Sequence, residues 1–508
     1  MMKILVRNIS PRTLLRGLVC SSLPVLLGIS VSADALQLYV DKRTNQVFTA
    51  PGKHRMRLGT FEQIDGGEEP VRSRRRGRQD LAPAGVNERI ETLEQKLEET
   101  QINAKLNEEK ATAAWEASKA MPKVTTKGKL EWGTPDGDFT WRFGGRLHLD
   151  YTGVDNRDGS ALVSGVDARR ARLEFQGTLW KHWMWKLDYE FGQSATVRDG
   201  FRDAFVRYIE HGAAFPWTIS VGQYKEIFGG LEHRNSSNDL PFVERALPSR
   251  VFHDVAEASD GRRLGIAFNI NDKKWWTASV GVFGKNISGD SADEETDPIA
   301  VEGFMTFSPI HTETRALHFA LGSSWMDPQV DSRVRFNARN EERIGAQRFV
   351  DTGVIEGANA VIRSAAEIGG IYGPAWLQAE YLRTDVQRKG ANPDVNFDGY
   401  HVDVGYILTG ESRIYDFERA TFVNPKPGHL VGHGGWGAWE LAARWSQLRL
   451  ADQDIHGGIE RNFSAGVNWY PTQNFRFMFT YTKVVDVSGG RFDGVDPNVF
   501  LVRAQVNF

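Results

Sequence analysis

Arginines stand two residues apart at Arg170 and Arg172, four apart at Arg142 and Arg146, and again at Arg263 in GRRLGI. Even spacing puts such side chains on one face of an extended strand, and rigid guanidinium forks suit phosphate oxygens. The chemistry on offer is capture of anions along a wall. A second group, Lys225, Arg234, Arg245 and Arg250, falls within residues 225–260, where Glu226, Glu232, Asp239 and Glu244 are interleaved. Each of these cations can supply field at a narrow point, or can pair with a neighbouring carboxylate and pin the segment. Counting does not separate the two. Arg207, Arg444, Arg476 and Arg503 share the wall parity, but so do Asp150, Glu174, Asp188, Glu190, Asp203, Glu367, Glu380, Asp403 and Glu440.

Catalytic constellations are poor by comparison. His429 and His433 have HxxxH spacing, but KPGHLVGHGG is a Gly- and Pro-rich connection rather than a helix, so a solvated loop is expected in place of a metal site. No serine and histidine form a recognisable pair, which leaves a lipid hydrolase as a different-class alternative with no nucleophile to name. No cofactor is implied.

The element that must hold the arginines is visible in FTWRFGGRLHLDY, residues 139–151. Phe139, Trp141, Phe143, Leu147, Leu149 and Tyr151 fall on one parity, and Thr140, Arg142, Arg146, His148 and Asp150 on the other. Period two means a strand with unlike faces. A water-soluble sandwich would turn the apolar face inward, whereas an outer-membrane barrel would turn it to lipid. Mean hydropathy is low, at -0.41, and beyond the N-terminus no apolar run is long enough for a spanning helix. Yet 51 Gly, 29 Phe and 15 Trp are what a close-packed barrel wall and its aromatic girdles use. The formal charge of -3 argues neither for nucleic acid nor against it, and no nucleic-acid partner is expected.

Residues 1–33 read as a secretory signal peptide: Lys3, Arg7, Arg12 and Arg16 precede LVCSSLPVLLGISV, and Val31, Ser32 and Ala33 form a small-residue cleavage site. Cys20, the one cysteine, lies inside it and follows Val19 rather than the small residue of a lipoprotein signal. Residues 34–85 hold a hairpin over 36–61 with a turn near Pro51 and Gly52, then the basic run RSRRRGR at 72–78, expected as a solvated linker. Over 86–120 the pattern changes to helix, with Val86, Ile90, Leu93, Leu97 and Ala104 at heptad spacing, the signature of a coiled-coil seam and a self-associating chain.

Residues 121–508 are expected to form an all-β transmembrane barrel, since alternating runs recur roughly sixteen times to the end of the chain. Turns at 181–182, 271–274, 372–374 and 471–474 fall on the side where periplasmic turns should lie, and the long insertions at 225–260 and 326–363 fall on the other. Residues 409–435 depart from this, being long on the periplasmic side. Phe508 ends the last strand on the lipid-facing parity of Phe500, Val502, Ala504 and Val506. The expected address is the outer membrane of a Gram-negative bacterium, with lipid around the barrel and the N-terminal segment in the periplasm.

These strands resemble the phosphate-selective porin O and P family over nearly the whole mature chain. The stretches that carry the resemblance are RRARLEFQG, WKLDYEFG, VGQYKEIFG, ERALPSRVF, GRRLGI, YILTGESRIYD, GAWELAARWSQL and GVNWYPTQNFRFMFTY. The resemblance implies a homotrimer of sixteen-stranded barrels, a third external loop folded into the lumen, and passive diffusion of small anions, phosphate or polyphosphate among them, past arginines and lysines. It would make Lys225, Arg234, Asn238, Arg245 and Arg250 the constriction, and Arg142, Arg146, Arg170, Arg172 and Arg263 the lumen wall. Where phosphate-specific members carry a lysine after two serines, this chain reads SSND, with Asn238 in that place. A general porin is the alternative, its coiled coil and basic flank tethering the envelope through contact with peptidoglycan.

Overall fold

Alternating runs become strands of 8 to 16 residues. In the computed structural model, which describes residues 37–41, 47–48, 55–60, 85–119, 121–125, 130–155, 162–192, 200–253, 255, 261–287, 297–329, 332–345 and 347–508, sixteen of them close into an antiparallel barrel. They are β1 (Thr140–Asp155), β2 (Gly165–Leu179), β3 (Trp183–Glu190), β4 (Phe201–Glu210), β5 (Trp217–Lys225), β6 (Arg262–Asn271), β7 (Trp276–Phe283) and β8 (Ile299–His311). The second half comprises β9 (Arg315–Asp327), β10 (Ala358–Tyr372), β11 (Ala375–Arg388), β12 (Val395–Ile407), β13 (Ala438–Asp452), β14 (Ile455–Tyr470), β15 (Phe475–Ser488) and β16 (Asn498–Asn507). Each strand pairs with its sequence neighbour, and β16 closes the ring on β1 from Asn498 opposite Asp155 to Asn507 opposite Arg146. Closure leaves no open edge in contact with hydrocarbon. Where β16 ends, Leu130–Gly133 takes over beside the first residues of β1.

Parity decides which face meets lipid. Leu147, Leu149 and Tyr151 of β1 are exposed on the outside, while His148 and Asp150 between them are buried inside. At the short-turn end the outer face carries stacked and tilted aromatics: Trp132 on Trp141, Trp183 and Trp217 against Tyr208, and Trp439 on Trp469 on Phe477. This is the girdle that amphipathic rings form at a membrane interface.

The hydrophobic core sits within the ring, where inward-folded loops pack on the wall. Phe228, Leu247, Val251 and Phe252 of residues 226–261, with Phe336 of residues 328–357, join Val361, Leu382, Phe397 and Leu448 of the strands in one cluster. Two short helices, α1 (Leu231–Arg234) and α2 (Leu247–Val251), lie in the first of these loops. Glycines make the seats. A Cβ on Gly322 of β9 would stand 1.7 Å from the Phe228 carbonyl oxygen, and one on Gly399 of β12 would stand 2.7 Å from Pro248 Cβ. The long connection between β12 and β13 is likewise no ordinary turn. Its hairpin of Ile414–Asp416 and Thr421–Val423 enters the barrel, burying Phe422 over Gly369 of β10.

The N-terminal segment differs in one respect from expectation. Gln37–Asp41 is the centre of a three-stranded sheet, pairing with Val47–Phe48 and with Arg55–Thr60, in place of a single hairpin. A two-residue strand is too short to register as an alternating run. The helix, numbered αN here for its place at the N-terminus, spans Val86–Lys119. The signal segment, the turn at Pro51 and Gly52 and the basic run lie outside the described residues.

If glycine seats the third loop, Gly322→Leu should push the Phe228 backbone off the wall without preventing barrel closure. Single-channel recording should then show a wider conductance distribution than wild type, and an unchanged distribution would refute the seat.

Candidate functional site

Loop 3, residues 226–261, is fastened across the lumen by charge pairs, and most of the expected constriction cations serve that fastening. Lys225 Nζ donates to the carbonyl oxygens of His233 and Asn235 at 2.7 and 2.6 Å. Arg245 donates to the carbonyls of Glu232 and Asn235 at 3.1 and 3.3 Å. Arg234 makes a bidentate pair with Glu367 of β10, both bonds 2.7 Å, and donates to Ala420 O of the entering hairpin at 3.0 Å. Only Arg250 is loosely held, 3.9 Å from Glu244, with over a quarter of its side chain exposed. Asn238 sits beside β1, its Oδ1 3.1 Å from His148 Nε2.

The wall arginines divide in the same way. Arg142, Arg146 and Lys186 converge on Glu174 at 3.7, 3.2 and 3.2 Å. Arg172 binds Glu190 at 2.6 Å, and Arg263 joins Arg363 on Glu226. Arg170 has no carboxylate at ion-pair distance among the described residues, and its Nη1 lies 3.4 Å from His148 Nδ1. Arg207 of β4 is also without one, donating instead to Ser220 Oγ at 2.7 Å. His148 and Asp150 on the inner face of β1 are buried, His148 against Asn238 of loop 3 and Asp150 against Arg503 of β16.

The entering hairpin meets loop 3 through a chain of bonds. Tyr415 Oη lies 2.6 Å from Ser308 Oγ and 2.9 Å from His318 Nδ1, and His318 Nε2 is 3.2 Å from Glu367. Asn424 Nδ2 donates to Asn238 O at 2.7 Å. His429 and His433 stay in the connection, and no cluster of metal-ligand type occurs among the described residues.

Sequence reading missed a third participant. Loop 5, residues 328–357, brings Arg339, Arg343 and Arg348 toward Arg250 and Arg169, with Glu244 and Glu342 close by. Arg169 is paired with Glu244 at 2.6 Å. Arg339 donates to the Gly345 carbonyl at 3.4 Å and also to that of Arg343, and Arg348 donates to Asn337 Oδ1 at 2.9 Å. Burial, then the charges of Arg348 and Arg250, lower Arg339 to about 10; burial, then Arg169 and Arg250, lower Arg343 to about 9. Burial and Arg250 lower Arg348 as well, with Glu342 and Asp351 opposing, while burial raises Glu342. Like charges gathered against desolvation are stabilised by an anion that enters among them. The signal was present: Arg333, Arg335, Arg339, Arg343 and Arg348 fall in sixteen consecutive residues.

A family model described as phosphate-selective porin O and P matches residues 142–508. The chain is similar to Porin O of Pseudomonas aeruginosa, with 26% identity over 421 residues, 76% of this chain and 92% of that protein. It is also similar to an uncharacterised protein of Caulobacter vibrioides, 27% identical over 379 residues, 71% of each chain. Among solved structures, an anion-selective porin from Comamonas acidovorans matches with TM-score 0.46 and 14% identity, covering 73% of this chain and 100% of that one. The outer membrane channel DcaP of Acinetobacter baumannii matches with TM-score 0.43 and 12% identity, covering 73% and 97%.

Breaking the Arg234 clamp leaves a buried carboxylate short of its main partner, a change that costs about 3–5 kcal/mol. Arg234→Met should therefore lower the temperature at which the folded barrel loses its compact electrophoretic mobility, with Arg142→Met, a partly exposed arginine on a carboxylate that keeps Arg146 and Lys186, much milder. Equal losses would contradict the assignment of Arg234 to anchoring.

Proposed function

The chain belongs to the phosphate-selective porin O and P family, which makes it an outer-membrane porin, and we propose that it passes small anions by passive diffusion. The observation that carries this reading is the gathering of Arg169, Arg250, Arg339, Arg343 and Arg348 where loop 5 meets loop 3. Fixed guanidinium groups raise the local concentration of anions at the mouth and favour their entry. Arg170 and Arg207 continue the positive field along the wall, because a cation without a carboxylate partner contributes net potential. Family and fold support a channel rather than an enzyme.

Phosphate specificity is a separate matter. With Asn238 beside β1 where a lysine would hold a dianion, this channel conducts chloride and organic anions and retains phosphate weakly. Conduction needs exit as well as entry. We also read the protein as a trimer whose αN helices associate in the periplasm. Ile90, Leu93 and Leu97 form an exposed apolar stripe at spacings of three and four, and a helix so exposed gains most by burying that stripe against copies of itself.

Reversal potentials in a salt gradient across a planar bilayer should show anion preference, and a cation-preferring channel would make this a general porin on the same scaffold. Arg339→Ala with Arg343→Ala should reduce that preference more than Arg172→Ala, and the difference should shrink at high salt. Asn238→Lys should introduce or strengthen block of chloride current by phosphate. Strong phosphate block already present in wild type would overturn the role given to Asn238. Leu93→Asp with Leu97→Asp should loosen the N-terminal coil while the barrels stay associated through their walls, as read by crosslinking of the N-terminal segment against crosslinking of the barrel.

A further inference from the structure

One contact between loop 3 and β1 takes no part in fastening the loop. The backbone of Asn238 is held in place: its carbonyl accepts from Arg476 Nη1 at 3.2 Å, Gln505 Nε2 at 3.1 Å and Asn424 Nδ2 at 2.7 Å, and its N–H donates to Ser236 Oγ at 3.2 Å. What remains free is rotation of the terminal amide, which exchanges an oxygen for an NH2 group of nearly the same shape. The pore would meet an acceptor in one state and a donor in the other.

His148 decides between them. Its Nδ1 lies 3.4 Å from Arg170 Nη1, and a guanidinium has donors only, so Nδ1 must accept. The ring proton of a neutral imidazole then sits on Nε2, and Nε2–H donates to Asn238 Oδ1 at 3.1 Å. A flipped amide would set NH2 against N–H. Nδ2 is thereby turned away from the ring, and it has no protein partner among the described residues. The two residues before Asn238 in loop 3 carry hydroxyls. Ser236 Oγ accepts from Arg146 Nη1 at 3.3 Å, and Ser237 Oγ accepts from the same nitrogen at 3.1 Å, so each keeps its own hydrogen to donate. Ser236, Asn238 and Arg146 are all partly exposed. Glu174 takes Nη2 of Arg146, along with Arg142 and Lys186, and leaves Nη1 to the serines, while Asp239 accepts from the Asn424 N–H at 3.2 Å.

We propose that His148 is a positioning residue for specificity: by holding Asn238 Oδ1 it turns the amide NH2 into the lumen, so that Asn238, Ser236 and Arg146 present hydrogen-bond donors to the oxygens of a small oxyanion. Its ligand rests on the reading of the channel as anion-preferring; the amide orientation does not. Because two of the three donors are neutral, the subsite favours passage over tight retention.

The full-length protein in planar bilayers tests this by sign. Asn238→Ala should lower the anion-to-cation permeability ratio, by roughly threefold, since it removes a lumen-facing donor to an anion. A rise would overturn the proposal, because it would mean the carbonyl oxygen had faced the lumen. His148→Leu should lower the ratio similarly by releasing the amide, and His148→Gln, whose NH2 can donate to the same oxygen, should restore most of it. In an Asn238→Ala background His148→Leu should change nothing more; an additive loss would refute a role through Asn238. Should His148→Leu fail to fold, the sign of Asn238→Ala decides alone. Titrating chloride current with acetate and with inorganic phosphate identifies the preferred oxyanion by the stronger block, and block by neither overturns the subsite. A cation-preferring wild type would sink the proposed function, while the sign and the non-additivity would still judge His148.

Discussion

Ions removed from water have to be matched, and in this barrel the matching is what keeps the lumen filled in one arrangement. Carboxylates on loop 3 meet arginines on the wall: Glu226 takes Arg263 and Arg363, Glu232 takes Arg444, and Glu244 takes Arg169 and Arg503. In the reverse sense, loop Arg234 takes wall Glu367. The points of attachment run from β6 and β10 through β13 to β16 and β2, so the loop is tied around much of the circumference. Pairs of this kind gain little over an apolar contact of the same volume, but losing one partner strands a charge in a dry place. They select one seating of the loop more than they add stability.

That constraint explains why charge counting failed. Arginines in the lumen fall into two populations with opposite consequences. Arg263, Arg363, Arg413 and Arg444 are fully buried on carboxylates, and their fields are cancelled at short range. Arg170 and Arg207 on the wall have no carboxylate at ion-pair distance among the described residues, and loop 5 gathers Arg339, Arg343 and Arg348 around Arg250. On the anion-conducting reading proposed above, selectivity rests on the field left after structural pairing. Formal net charge says nothing of it.

Glycine and aromatic content, which looked like generic barrel composition, also has two uses. Aromatics on the outer face form the interfacial girdle, while Phe228, Phe242 and Phe422 fill the inside, each against a wall glycine. The entering hairpin uses the same device from the periplasmic end and meets loop 3 through Tyr415, His318 and Glu367. The lumen is thus filled from both ends of the barrel.

By itself the sequence determined the barrel, because alternation repeated to the end of the chain and connections that alternate in length are both written along it. FTWRFGGRLHLDY showed two unlike faces without reference to any other strand, and composition and turn lengths showed which of them meets lipid. The lining arginines were legible by parity for the same reason. Which of them carry field was not, since pairing joins residues far apart in the chain, as Arg503 with Asp150 and Arg234 with Glu367. Loop 5 passed as a long insertion, and residues 409–435 as an anomaly, because a loop's direction depends on wall seats such as Gly322, Gly399 and Gly369 that no local pattern marks. Tertiary structure alone decided the site: electrostatic cancellation depends on distance in space, and strands adjacent in the ring place those distances beyond anything that spacing along the chain encodes.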